Sequence, residues 1–216
     1  MFSNIVLIIL VNKFYAFFKH HSNTGVAEYL LLIEPRKDLS DAIREVKQTF
    51  YDKYKAPEAL KGKPHLTLVK YAQYTSFESR ICQRIRNVAI QMSPIAIDLN
   101  DYGSFPSHTI FINVVSKTAI QTLVKNIRTQ LQSHMKLDKD NKPHFILEPH
   151  ITVARRLKPW QYEQGWLEYS NKSFSGRFIA SSMILLRKEE DAKRYDLVER
   201  FEFQNLNIHA SQSALF

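Results

Sequence analysis

Two tripeptides carry the chemistry this chain can do: His65-Leu66-Thr67 and His150-Ile151-Thr152, set 85 residues apart. Each follows a proline, Pro64 or Pro149, and each runs into an apolar segment, KPHLTLVKY and EPHITVARRL. In an extended strand residues i and i+2 share a face, so each histidine and its threonine point one way while Leu66 and Ile151 point to a core. Histidine has an ordinary pKa of about 6.5, so near neutral pH one imidazole can be neutral while another is protonated. Two of them, facing a common cleft, can take and give protons on opposite sides of one reacting phosphorus. Each such transfer typically contributes roughly 10² to 10⁴ in rate.

Other residues are weaker candidates. Thr67 and Thr152 are ordinary strand formers when taken singly, but in paired motifs their hydroxyls read as donors to non-bridging phosphate oxygens. Phe105, Tyr71 and Tyr74 are possible platforms for a nucleobase, set against the usual role of such rings in packing. His108, just past the Phe105-Pro106 turn, reads as a surface strand residue. Lys142, Arg155, Arg156 and Lys158 gather near the second motif and would draw a nucleic-acid backbone, or form a solvated charged surface. His144, Glu148 and His150 have a spacing suggestive of a metal site, but Pro143 and Pro149 argue against one helix presenting all three. No metal and no cofactor is expected.

The elements that hold the motifs follow from periodicity. Ala27 to Ile33 reads as a strand, and Leu39, Ile43, Val46, Phe50 and Tyr54 fall at helical spacing with Asp38 and Ser40 as caps. The first motif strand covers about 64–70. A helix through Phe77, Ile81, Ile85 and Val88 follows, with Thr75 or Ser76 placed to cap it. Ile95 to Leu99 and Thr109 to Val115 read as a hairpin turning at Gly103 to Ser107. Then come a helix through Ile120, Leu123, Val124, Ile127 and Leu131, the second motif strand, and a helix over Gln161 to Tyr169. A strand from Phe174 to Arg187 and a last one from Tyr195 to Phe203 complete the chain. The order strand, helix, motif strand, helix, strand therefore occurs twice, as an internal duplication would give. Ligand sites commonly form where two such lobes meet.

At these residues the chain resembles the two-histidine (2H) phosphoesterase superfamily, and within it the family named 2′-5′ RNA ligases. Its His-x-Thr motifs, each trailed by an apolar residue, stand here as His65-Leu66-Thr67-Leu68 and His150-Ile151-Thr152-Val153, and the resemblance spans roughly residues 27–204. It implies an α+β, bilobal, duplicated fold: two mainly antiparallel sheets flanking a central groove, with helices outside. It also implies a metal-independent hydrolase that acts on RNA 2′,3′-cyclic phosphate ends, with possible reversible 2′-5′ ligation. Within the resemblance His65 is the proton donor, His150 the acceptor, and Thr67 and Thr152 bind phosphate. The arginine five positions after the second histidine, Arg155, clamps it too. In a regular strand Arg155 would face away from His150 and Arg156 towards it. In the first motif Lys70 holds the arginine's place. The alternatives are a phosphodiesterase for 2′-5′ oligonucleotides or a small cyclic nucleotide, and an RNA-binding module without catalysis.

Composition fits this frame. The net charge of +9 favours an anionic partner such as RNA or a nucleotide. The single cysteine, Cys82, excludes an internal disulfide and a cysteine-rich zinc site, and a reducing, cytoplasmic setting is expected. Residues 1–26 form an extension around the apolar run Ile5 to Val11, too short to span a bilayer, which takes roughly 20 apolar residues. It reads as an added helix or as residues ahead of the true start, with a membrane-surface anchor as the alternative. Residues 205–216 read as a tail, and a monomer without membrane attachment is expected.

Overall fold

The computed structural model describes residues 25–206, so the N-terminal apolar run and the end of the tail lie outside the described residues. The strands are β1 (Val26–Ile33), β2 (Leu66–Tyr74), β3 (Ile95–Phe105), β4 (Thr109–Val114), β5 (His144–Phe145), β6 (His150–Ala154), β7 (Ser175–Ala180), β8 (Ser182–Glu189) and β9 (Asp196–Glu202). The helices are α1 (Lys37–Tyr54), α2 (Glu78–Gln91), α3 (Lys117–Met135) and α4 (Pro159–Tyr169). The fold is α+β, and every strand pairing is antiparallel.

The two expected sheets are joined. Strand order runs β7-β3-β4-β6-β2-β1-β8-β9, with β5 against β2. One residue pairing, Leu66 with Ile151, links β2 to β6 at the centre. Outward from that junction each half has four strands, and the motif strands are innermost. The helices are exchanged between halves. α1, which leads from β1 to β2, packs on β6, β7 and α4; α3, which leads from β4 to β6, packs on β2 and α2. Folding either strand–helix–strand unit therefore requires the other.

The buried stripes of all four helices join Leu66, Leu68, Ile151 and Val153 in one core. This is the face predicted for the middle residue of each motif. A smaller cluster, Leu30, Leu32 and Ile184 with Leu186 and Tyr195 against it, lies apart from that core. Leu32 is paired with Thr67 across β1 and β2, and directly opposed residues share a face, so this cluster floors the open side beside the first motif.

Three expectations are corrected. The N-cap positions are Arg36 for α1, in place of the expected Asp38 or Ser40, and Phe77 for α2, in place of the expected Thr75 or Ser76, and neither N-cap residue makes a side-chain cap bond. Asp38 acts instead as an acidic residue in the first turn, where it complements the helix dipole. The hairpin turns at Pro106 to His108, because β3 continues through Gly103. The segment Phe174 to Arg187 is two strands: β7 pairs with β3 in one half, and after Ser181 β8 pairs with β1 in the other.

Candidate active site

The antiparallel register about the Leu66–Ile151 pairing sets His65 opposite Thr152 and Thr67 opposite His150. All four side chains are half-buried, while Pro64, Leu66, Pro149 and Ile151 are buried. The motifs thus form one cluster with near two-fold symmetry on the side of the sheet away from the helices.

The two imidazoles are anchored identically. His65 Nδ1 lies 2.8 Å from the carbonyl oxygen of Lys63, and His150 Nδ1 lies 2.8 Å from that of Glu148. In both cases the acceptor belongs to the residue two positions back. A carbonyl only accepts, so each Nδ1 carries the proton and each Nε2 is left for proton transfer. Burial lowers the pKa of both histidines. For His65 the carbonyl bond opposes this, Lys47 and Arg155 lower it further, and Glu34 raises it. For His150 the carbonyl bond and the charge of Glu148 oppose the effect of burial.

A matched pair of β-bulges follows the threonines. Thr67 pairs with Leu32 and Val69 with Leu31, which leaves Leu68 as the extra residue. Thr152 pairs with Phe111 and Ala154 with Ile110, which leaves Val153 extra. Each bulge produces two successive core residues, Leu68-Val69 and Val153-Ala154, all fully buried, and reverses side-chain parity beyond it. Arg155 therefore follows a core-facing Ala154 and comes to the histidine side. Its charge is felt at His65, at Lys47 and at Tyr195. Arg156, which a regular strand would favour, instead turns the chain away with φ of 52°.

The same parity reversal corrects the reading of Tyr71 as a base platform. Its ring is 3% exposed and stacked on Tyr29, with centroids 5.0 Å apart, inside the helix-side core. No face remains for a base. Phe105 does lie at the site. Its ring meets the His150 imidazole edge-on at 5.0 Å and packs on Phe111 at 4.6 Å, and Phe111 lies 4.8 Å from His150. Gly103 makes room for this: a Cβ there would come 2.5 Å from both Asn113 Oδ1 and the Phe111 ring.

Lys70, at the place matching Arg155, forms a 2.7 Å ion pair with Glu28. Among the described residues Arg155 has no ion-pair partner. His108 is exposed and bonds to Thr109. The suggested metal spacing does not converge: His144 sits on β5 opposite Lys70, and Glu148 pairs with Lys117. No helix among the described residues is long and apolar enough to cross a membrane.

The model of the 2′-5′ RNA ligase superfamily matches residues 35–192, a span that holds both motifs and both bulges. The chain belongs to this superfamily. A candidate phosphoesterase of Geobacillus kaustophilus is 25% identical over 139 residues, which is 62% of this chain and 73% of that protein. The fold matches TT0787 of Thermus thermophilus with a TM-score of 0.61 at 18% identity, covering 83% of this chain and 100% of that one. It also matches E. coli LigT complexed with 3′-AMP, with a TM-score of 0.58 at 17% identity, covering 83% and 99%. LigT has also been solved with NADP+. The chain shares the fold of these solved structures and, as a member of the 2′-5′ RNA ligase superfamily, is a phosphoesterase.

Two residues of this superfamily member escaped the sequence reading. Phe111 looks like any apolar strand residue, and its contact with His150 depends on pairing with Thr152. Lys47 lies on the buried stripe of α1, four residues after Ile43 and three before Phe50, so helical spacing carried the signal that its side chain, 6% exposed, is buried.

Proposed function

We propose that the protein opens the 2′,3′-cyclic phosphate ends of RNA to 2′-phosphates by two-histidine acid–base catalysis, without a metal ion. The observation that carries this reading is the identical Nδ1 anchoring of His65 and His150 in strands whose register sets each histidine against the other's threonine. His150 takes a proton from water through Nε2, and the hydroxide oxygen bonds to phosphorus. The bond from phosphorus to the ribose 3′ oxygen breaks, and His65 gives its proton to that oxygen. Lys47 and Arg155 beside His65 make its imidazolium a readier donor once the substrate's phosphate has drawn a proton onto it. Thr67 and Thr152 donate to the non-bridging oxygens, where charge gathers, and Arg155 clamps the phosphate. A ribose hydroxyl in place of water gives a 2′-5′ linkage by the same steps.

Nucleotide-sized substrates are supported by the ligands of LigT, which include 3′-AMP, ATP and NADP+, and RNA by the net charge of +9. Phe105, half-buried against His150, suits a base next to the reacting phosphate. We read the two half-sheets as pseudo-symmetric lobes of one catalytic unit over residues 27–204. The test is incubation with a short RNA ending in a 2′,3′-cyclic phosphate, in EDTA, with the product read by phosphorus NMR. A 2′-phosphate is expected; a 3′-phosphate, or no turnover, would overturn the assignment.

A further inference from the structure

Each histidine is held by a carbonyl two residues back, and the strap that carries this carbonyl is itself held one residue earlier. Ahead of His150, Gln121 Nε2 of α3 donates to the carbonyl of Leu147 at 2.9 Å. Ahead of His65, Lys47 Nζ of α1 donates to the carbonyl of Gly62 at 3.0 Å and reaches that of Lys61 at 3.4 Å. Gly62 and Leu147 both stand three residues before their histidine, so the same carbonyl is held in both arms by a side chain from the preceding helix. The arms differ in one respect: a neutral amide serves His150 and a buried ammonium serves His65. Among the described residues Lys47 has no acidic partner, and it is 6% exposed. A buried, unpaired charge is costly, and a neutral donor serves the other arm.

We propose that Lys47 is a positioning residue for His65, holding the 61–63 strap so that the imidazole keeps Nε2 towards the phosphate, and that it places beside His65 a positive charge that the His150 arm, held by Gln121, lacks. This rests on the reading of the histidines as the proton-transfer pair. The charged groups facing His65 are Lys47 from α1, Arg155 from the end of β6 and Glu34 from the end of β1. Those facing Lys47 are Arg155 and Arg44, and with burial they lower its pKa to about 8, so near neutral pH it is still mainly charged.

The test reads His65 directly, by NMR titration and imidazole nitrogen spectra of the wild type, Lys47→Met and Lys47→Arg, alongside kcat on a cyclic phosphate. In Lys47→Met the His65 midpoint should move up by roughly half a pH unit or more, the Nδ1–H form should lose population, and kcat should fall about 10- to 100-fold. Lys47→Arg should restore all three, while His150 is unmoved throughout. If Lys47→Met does not fold, Lys47→Gln must still raise the His65 midpoint. An unchanged His65 midpoint and tautomer in a folded Lys47→Met or Lys47→Gln protein would overturn the proposal, whatever its melting temperature. A wild type inactive on cyclic phosphates that still shows the His65 displacement would overturn the reaction proposed above and support the role of Lys47.

Discussion

Leu66 and Ile151, the middle residues of the two motifs, pair Cα to Cα and form the one link between β2 and β6. Both are fully buried, so their contact with the helices and with each other sets the spacing of four side chains on the opposite face. Ile151→Ala should cost about 2 to 5 kcal/mol, and kcat should drop because the register holds His65 against Thr152. Ile151→Val should cost about 0.5 to 1.5 kcal/mol and leave kcat near wild type. Denaturant titration and single-turnover rates check both.

The pH dependence follows from the two histidines. Burial lowers both pKa values from the ordinary 6.5, so the free enzyme near pH 7 holds mostly two neutral imidazoles. The active form needs one proton on the pair, so kcat/KM should peak below pH 6.5 and decline towards alkaline pH. A bound phosphate favours the imidazolium, so the kcat optimum should lie higher. Both profiles should be bell-shaped and report the pair as a unit. A kcat/KM profile that rises monotonically from pH 5 to pH 8 would contradict the account.

Gly103→Ala tests the aromatic support of His150. The new methyl would displace the Asn113 side chain and the Phe111 ring, which is itself packed on Phe105 and His150. Stability should fall by about 1 to 3 kcal/mol, with a loss of kcat larger than that of a Gly176→Ala control, whose added Cβ meets Leu39 and Phe174 away from the histidines. Phe105→Ala should raise KM for a nucleotide substrate more than for a base-free ribose cyclic phosphate.

How far the sequence reached is clearest at the bulges. Alternation in KPHLTLVKY and EPHITVARRL gave the right faces for His65, Thr67, His150 and Thr152, because those residues precede the extra one. Tyr71 and Arg155 come after it, and both read with inverted parity. A bulge is set by which partner residues β1 and β4 offer, which one strand's pattern does not contain. The division of Phe174 to Arg187 is marked in the sequence only by the Ser181-Ser182 pair, which a strand also tolerates, and only tertiary pairing assigns its halves to β3 and β1. Helix positions were legible from their stripes. The exchange of helices between half-sheets was not, because periodicity says which face is buried and never against what.

Glu168 links α4 to α1, accepting from Lys172, Lys53 and Tyr54, and these bonds hold its pKa down to about 2. A carboxylate with a depressed folded pKa stabilises above its unfolded value and loses that contribution as pH falls through the folded one. Wild type should therefore lose stability between about pH 4.5 and pH 2 more steeply than Glu168→Gln, as read by thermal melts across that range.

The most direct test of the central claim is turnover of an RNA 2′,3′-cyclic phosphate, in EDTA, by wild type, His65→Ala, His150→Ala and the double variant. Wild-type turnover is predicted to survive EDTA. Each single variant should lose roughly 10² to 10⁴ in kcat, and the double variant should lose far less than the product of the two, since the pair acts as a unit. Wild-type turnover in either single variant, or its disappearance on chelation alone, would contradict the two-histidine account.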